Sequence, residues 1–422
     1  MSQATLPAAA AGVVSGTVRV PGSKSETNRA LVLAALADGP GRVLGGLASR
    51  DCDLMVAALS GFGVTVDQSS PAWLVTPPQK FVGGSQVDCG LAGTVMRFVP
   101  PIALLADGPT RFVGDPHASA RPMAGLLDGL RQLGADIDAD SLPFTLTPGA
   151  LPETADITID ASASSQFISG PLLVGARLAG GLTVRHAGSR VPSTPHIEMT
   201  LRFLQQRGVP ARAIGPAAWH VAPGPIHACD VSVEPDLTNA AAFLAAALVT
   251  GGRVSVVGWP ADSQQPGAMF LDIARTLGGT VEATADAVTL TGPQRLAPID
   301  VDLHAASELT PVVAAVAALA DGTSRIRGVA HIRGHETDRL AALTTELTRL
   351  GIRVAETQDG LRILGGTPTL AAEPFRSYAD HRMVHAAAIL ALRTPGLSVD
   401  DVACVSKTMP DFTDRWSQMV GH

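Results

Sequence analysis

One phrase recurs six times along the chain: an apolar, alanine-rich run, a turn, and a short β-prone run. It reads ALVLAALADGPGRVLGG from Ala30, PPIALLADGPTRFVGD from Pro100 and GPLLVGARLAGGLTVRHAG from Gly170. It returns as AAFLAAALVTGGRVSVVGW from Ala241, PVVAAVAALADGTSRIRGV from Pro311 and AAAILALRTPGLSVDDV from Ala386. The period is about 70 residues, longer than a solenoid repeat but as restrictive of the fold. A second phrase follows most copies: an amphipathic helix closing on glycine and then a strand, as in LMVAALSGFGVTVD, LLDGLRQLGADID, LRFLQQRGVPAR, LDIARTLGGTVEA and LAALTTELTRLGIRVAE. Glycine suits a left-handed helix cap, and the β-branched residues beyond it suit a strand. The expected fold class is therefore α/β, with each repeat alternating two helices with strands. The first helix of each copy is apolar nearly all round and must be buried on every side. Helices then lie inside and sheets outside, in two domains of three repeats.

At 422 residues, 46% hydrophobic and 16% charged, the chain can bury large cores. Aromatics make up only 4%, so those cores are built mainly from Ala, Leu and Val. A net charge of −7 argues against a nucleic-acid surface. Cys52, Cys89, Cys229 and Cys404 show neither zinc nor disulfide spacing and read as buried free thiols. The N-terminus MSQATLPAAAAGVV lacks a basic n-region, so no signal peptide is expected, and no stretch reads as transmembrane. These features lead to the expectation of a cytoplasmic protein.

Several stretches do not read as packing. The chain holds three lysines (Lys24, Lys80, Lys407) against 28 arginines, so the lysine in PGSKSETNRA calls for a chemical reason. Ser25 is the expected N-cap there, with Asn28 and Arg29 in the first turns, which makes an anion site without P-loop spacing. In DCGLAGTVMRF, Gly90 and Gly93 bracket a turn, Thr94 is a candidate cap and Arg97 lies one helical turn on. Small residues there let an anionic ligand approach the backbone. Arg121 precedes Pro122 near another expected helix start. Ser164, Ser165 and Gln166 form a polar island of neutral donors.

In the second half, Glu308 precedes a buried helix, and Glu336 and Arg339 are expected on one helical face. Asp380, His381 and Arg382 open a further helix, and Lys407 lies in SKTMPDF. Cations at helix N-termini oppose the helix dipole unless an anion is shared between them. Two carboxylates among those cations add proton transfer. No metal-ligand spacing and no dinucleotide fingerprint is evident. The residues alone point to a transferase or lyase acting on phosphorylated, carboxylated metabolites.

PGSKSETNRAL, AGTVMRF, RPM, SSQF, ETDRL, DHRM and KTMPDF, in this order, resemble the 5-enolpyruvylshikimate-3-phosphate synthase family across nearly the whole chain. The resemblance implies two domains of three βαβαββ-type repeats, residues 1–20 plus 234–422 and residues 21–233, with the active site in the cleft between them. It implies transfer of enolpyruvyl from phosphoenolpyruvate to the 5-hydroxyl of shikimate 3-phosphate, without metal or cofactor, by a monomer. By motif match, Lys24, Ser25, Arg29, Ser164, Ser165, Gln166, Ser193, Glu308, His331 and His335 hold shikimate 3-phosphate. Lys24, Gly93, Arg121, Gln166, Arg339, Arg382 and Lys407 hold phosphoenolpyruvate. Glu308 is the expected base on the 5-hydroxyl, and Glu336 with Lys24 the expected proton donor to the alkene. Glu308 stands where the family often has Asp, His331 where Asn is common, His335 where Lys is common and His196 where Tyr is common. Leu91 replaces a more frequent polar residue. The alternatives are a transferase acting on UDP-N-acetylglucosamine, whose loop usually carries a reactive cysteine that DPHASARPM lacks, and a non-catalytic nucleic-acid-binding relative.

Overall fold

The computed structural model describes residues 4–6 and 12–421. The N-terminal segment over which no signal peptide is expected lies largely outside them. The chain divides into a discontinuous unit, Met1–Pro21 with Glu234–His422, and a continuous unit, Gly22–Val233. Pro21 groups with the discontinuous unit, where its carbonyl accepts the Asp236 N–H at 2.9 Å.

Among the described residues there are five four-stranded sheets and one two-stranded sheet. All five larger sheets follow one plan. In one of them, Asp300–Asp302 runs parallel to Thr323–Arg327, and Leu361–Leu364 and Arg353–Glu356 then add antiparallel strands. With the helices Thr310–Ala317 and Arg339–Arg349 between these strands, the order is βαβαββ. Along Thr323–Arg327 only Ser324 and Ile326 are buried, so the sheet turns one face to the core and one to water.

The units exchange their first strands. Ser15–Val18 lies parallel to Arg253–Val257 in the discontinuous unit, and Val231–Ser232 lies parallel to Gly41–Leu44 in the continuous one. The sixth repeat is thinner than the others. Its Ser398–Val399 strand pairs with Ala4–Thr5 and meets Phe375 through one isolated bridge.

The apolar runs form the inner helices. In the continuous unit these are Lys24–Ala35, Gly93–Ala103 and Gln166–Val174. In the discontinuous unit they are Leu237–Thr250, Thr310–Ala317 and His381–Ala391. Every residue of Gly93–Ala103, Thr310–Ala317 and His381–Ala391 is buried. Each buried Leu or Val contributes about 1.5–3 kcal/mol of transfer free energy. Small residues set how closely these helices pack. A Cβ on Gly170 would stand 2.2 Å from the Arg97 carbonyl oxygen, so only glycine permits that approach.

The glycines ending the second helices, Gly63, Gly134, Gly208, Gly278 and Gly351, all have φ between 76° and 99°. Each N–H reaches back three residues and the next N–H reaches back five, as in Gly351 to Thr348 and Ile352 to Leu347. This double bond closes the helix and launches the strand. A side chain at that backbone conformation costs roughly 1–2 kcal/mol.

Two of the four cysteines depart from expectation. Cys52 and Cys89 are buried, whereas Cys229 and Cys404 are partly exposed. All four are free thiols. No helix among the described residues is long and apolar enough to cross a membrane.

Candidate functional site

In the continuous unit, three inner-helix N-termini meet. Asn28 Nδ2 donates to Thr94 Oγ1 at 2.6 Å, Arg29 Nη2 lies 3.5 Å from Ser169 Oγ, and the Arg97 guanidinium lies 5.9 Å from the Phe167 ring centre. Partly satisfied N–H groups and the helix dipoles make such an end attractive to anions.

The cap of the first helix is Ser23, whose oxygen accepts the Glu26 N–H; Ser25 lies inside the first turn instead. Lys24 opens that helix, and its Nζ sits 2.9 Å from Asp51 Oδ2, a carboxylate only 2% exposed. Lys80, by contrast, is an exposed partner of Asp107.

Arg29 is 1% exposed. Its guanidinium donates to Thr200 Oγ1 at 2.7 Å, to the Ser25 carbonyl at 2.9 Å and to the His196 carbonyl at 2.9 Å. No carboxylate pairs with it among the described residues. Burial therefore pushes its pKa down to about 9, only partly offset by Glu26. A ligand carboxylate or phosphate would supply the missing counter-charge. Ser193 stands nearby in sequence to His196 with φ 50°, an uncommon backbone state for a non-glycine residue.

Gly93 begins its helix after Ala92, so Thr94 is not the cap. A Cβ on Gly93 would lie 3.0 Å from both Arg97 Nη1 and Arg121 Nη2. Arg121 donates to the Leu91 carbonyl at 3.0 Å, and Arg97 donates to the Pro122 carbonyl at 2.9 Å. The backbone oxygen of Leu91 thus anchors Arg121 without a polar side chain at that position. The following helix starts at Ala124 rather than at Pro122. Arg97 was visible in sequence as a helical arginine, but only packing brings it against Gly93 beside Arg121.

Ser165 precedes Gln166, the first residue of its helix, and Ser164 Oγ accepts the Gln166 N–H at 3.2 Å. Gln166 Oε1 is buried without a hydrogen-bond partner. These short polar groups gather where the helix presents its free N–H groups.

In the discontinuous unit, Arg339 is the hub of a second cluster. Its Nε donates to Asp380 Oδ2 at 2.7 Å, Nη1 to Glu308 Oε2 at 2.8 Å and Nη2 to Glu336 Oε2 at 2.9 Å. Burial opposes its charge, but Asp380, Glu308 and Glu336 outweigh burial and hold its pKa well above the usual value. Glu336 lies before the helix, which starts at Arg339 with Asp338 as its cap; the two residues meet across the cap rather than along a helical face. Glu336 Oε1 also binds Lys407 Nζ at 2.6 Å.

Glu308 sits on the 3-10 turn Ser307–Leu309. Its Oε2 lies 2.5 Å from Arg382 Nε, and its Oε1 lies 3.3 Å from His335 Nδ1. Burial would raise its pKa, yet Arg339 and Arg382 prevail and hold the carboxyl well below the usual range. His335 Nδ1 also lies 3.1 Å from Arg339 Nη1. That nitrogen accepts from Arg339 when bare and donates to Glu308 when protonated, so the two contacts exclude each other.

His331 packs edge-on between His304 and His335, at ring-centre distances of 5.6 Å and 5.8 Å. Burial, with help from both neighbours, pushes its pKa down to about 3, so the ring is neutral. Asp380 caps its helix through the Arg382 N–H while also gripping Arg339. Sequence marked Asp380 as a helix-start residue; its grip on Arg339, like that of Asp51 on Lys24, required the fold.

The described residues hold no group of His, Cys, Asp and Glu suited to a metal ion. The two clusters differ in charge. In the discontinuous unit Arg339, Arg382 and Lys407 each meet a carboxylate, whereas among the described residues Arg29 and Arg121 of the continuous unit meet only neutral acceptors. Each cluster can bind an anionic group, and the carboxylates of the second can move protons beside it.

The fold is shared with enolpyruvyl transferases. The enolpyruvyl transferase NikO from Streptomyces tendae superposes with a TM-score of 0.76 at 20% identity, covering 99% of this chain and 96% of its own. An EPSP synthase from Acinetobacter baumannii superposes with a TM-score of 0.79 at 24% identity, covering 99% and 97%. Sequence narrows the class. Residues 9–416 match the family model for EPSP synthase (3-phosphoshikimate 1-carboxyvinyltransferase). The chain is 51% identical over 413 residues to a 3-phosphoshikimate 1-carboxyvinyltransferase of Mycobacterium ulcerans (strain Agy99), covering 96% of this chain and 95% of the relative. The chain belongs to the EPSP synthase family.

Proposed function

We infer that the residues of both clusters serve the family's reaction, the transfer of enolpyruvyl from phosphoenolpyruvate to the 5-hydroxyl of shikimate 3-phosphate with release of phosphate. The observation carrying this reading is the placing of two carboxylates, Glu308 and Glu336, directly on Arg339, Arg382 and Lys407. A reaction that adds a hydroxyl across an alkene and then expels phosphate needs proton acceptors, proton donors and fixed positive charge together. Acting on UDP-N-acetylglucosamine is disfavoured by the family match over residues 9–416.

In this reading Lys24, Ser25, Arg29, Ser164, Ser165, Gln166 and Ser193 hold shikimate 3-phosphate, with His331 and His335 supplied by the other unit. The buried, unneutralised Arg29 suits an anionic group of that substrate. Arg121, Arg339, Arg382 and Lys407 hold phosphoenolpyruvate, which lies close to the backbone at Gly93 and reaches Lys24 and Gln166. Glu308 takes the 5-hydroxyl proton as its oxygen bonds to the central alkene carbon. Glu336, with Lys24, delivers a proton to the terminal carbon. Collapse of the tetrahedral intermediate removes a proton and expels phosphate. The enzyme is proposed to work as a cytoplasmic monomer.

The test is phosphate release. Purified protein with phosphoenolpyruvate and shikimate 3-phosphate is expected to release phosphate at steady turnover. Release only with UDP-N-acetylglucosamine as acceptor would overturn the reading.

A further inference from the structure

Two of the arginines assigned to phosphoenolpyruvate, Arg339 and Arg382, are already engaged by an anion, and that anion belongs to the protein. Glu308 Oε2 lies 2.8 Å from Arg339 Nη1 and 2.5 Å from Arg382 Nε. A ligand carboxylate or phosphate oxygen would seek the same position. Arg382 Nε and Nη1 are both buried without a hydrogen-bond partner, so Glu308 faces Arg382 as an ion pair and leaves its donor capacity unused.

The three carboxylates around Arg339 are not equally fixed. Asp380 is fully buried, holds Arg339 through both oxygens and caps a helix. Glu336 is 8% exposed and bound to Lys407 as well. Glu308 is 29% exposed, stands on a short turn and has a longer side chain than Asp380. Glu308 is the partner an incoming anion can displace.

We propose that Glu308 is an internal stand-in for the substrate anion: it occupies the Arg339–Arg382 pair until phosphoenolpyruvate takes that pair and thereby releases Glu308 to serve as the base. This proposal rests on the function inferred above. It couples two events that the reaction requires in order. While both guanidinium groups and His335 face Glu308, its carboxyl is held well below the usual range and is a poor proton acceptor. Glu336 and Asp380 face Arg339 and only partly share its charge. Once a ligand anion shares the two arginines, burial becomes the stronger influence and Glu308 gains basicity. The acceptor hydroxyl is then activated only when its electrophile is in place.

The coupling also predicts hidden affinity, because displacing Glu308 opposes binding as any minor competent state does. Calorimetric titration of phosphoenolpyruvate into wild type, Glu308→Gln and Glu308→Asp, without shikimate 3-phosphate, tests it. Glu308→Gln weakens the internal competitor. Glu308→Asp keeps the charge but is one methylene shorter and does not span both arginines. Both variants are expected to bind phosphoenolpyruvate about tenfold or more tightly than wild type, the scale of a competent state populated one part in ten. Equal or weaker binding by both overturns the proposal. Tighter binding by Glu308→Gln alone also overturns it, since a general change of field then explains the gain. Should Glu308→Gln fail to fold, Glu308→Asp decides alone. Wild-type phosphate release from both substrates is measured in parallel; its absence defeats the parent reading, whereas these affinities judge displacement separately.

Discussion

Lys24 Nζ lies 2.9 Å from Asp51 Oδ2, and that carboxylate is almost completely buried. A buried carboxylate facing a compact ammonium holds it in place. Arginine is this chain's usual cation, yet a planar guanidinium is wider and does not give up a proton. Lys24→Arg is expected to fold normally and lose turnover by about 10²-fold or more, the scale of a lost acid–base group. Phosphate-release kinetics and a thermal melt check both halves. Turnover within about threefold of wild type, far less than that scale, would leave Lys24 as an ordinary first-turn charge.

Gly93 is bracketed by two guanidinium groups. The Cβ of Gly93→Ala would meet Arg97 Nη1 and Arg121 Nη2 at 3.0 Å. Both are ends of flexible side chains, so the fold survives by shifting them a few tenths of an ångström. Space for a ligand against the backbone shrinks as a result. Glyphosate, a phosphonate and carboxylate analogue longer than phosphoenolpyruvate and serving as a competing ligand, is expected to lose more affinity than the substrate does. The ratio of inhibition constant to KM should rise in the variant; an unchanged ratio would move the phosphoenolpyruvate site away from Gly93.

Glu336 bridges Lys407 at 2.6 Å and Arg339 at 2.9 Å. Glu336→Gln keeps the shape but removes both the charge and the ability to exchange a proton. Turnover is expected to fall by about 10²-fold or more. Shikimate 3-phosphate affinity, resting mainly on the other unit in this assignment, should change far less. A loss confined to affinity, with kcat retained, would make Glu336 a binding group only.

The architecture was legible because it is repeated. Five helix-ending glycines share one backbone conformation, so a single local rule recurs along the chain. The inner helices were legible because runs such as PVVAAVA have no polar face to expose. Caps were harder to read. In GSKSE either serine satisfies the local pattern, and only the backbone entering the helix selects Ser23 over Ser25. Partners across the fold were harder still. Nothing near Lys24 in sequence points to Asp51, 27 positions on, and nothing near Arg339 points to Asp380, 41 positions on. Ion pairs of that kind are set by packing, so a single sequence shows the cations but not their counter-charges.

His385 gives a pH prediction independent of catalysis. It is 0% exposed on an inner helix, and neither ring nitrogen has a hydrogen-bond partner. Its ring packs on Phe412 at 4.6 Å between centres. Burial, reinforced by Arg382 and Arg339, pushes its pKa down to about 3 from an ordinary 6.5. Between those values the unfolded chain takes up a proton that the folded protein refuses. Stability contributed by the neutral ring is therefore complete above the unfolded value and is lost as pH falls from about 6.5 toward 3. The slope approaches roughly 1 kcal/mol per pH unit for one such group. His385→Met removes the proton site and the unpartnered nitrogens at similar volume. Thermal melts at pH 7.5 and pH 5, about one unit above and one and a half units below the ordinary histidine value, compare the two proteins. Wild type should lose more stability on acidification than His385→Met does. Identical acid losses would mean that His385 finds a partner or becomes protonated in the folded protein, and that the acid sensitivity arises elsewhere.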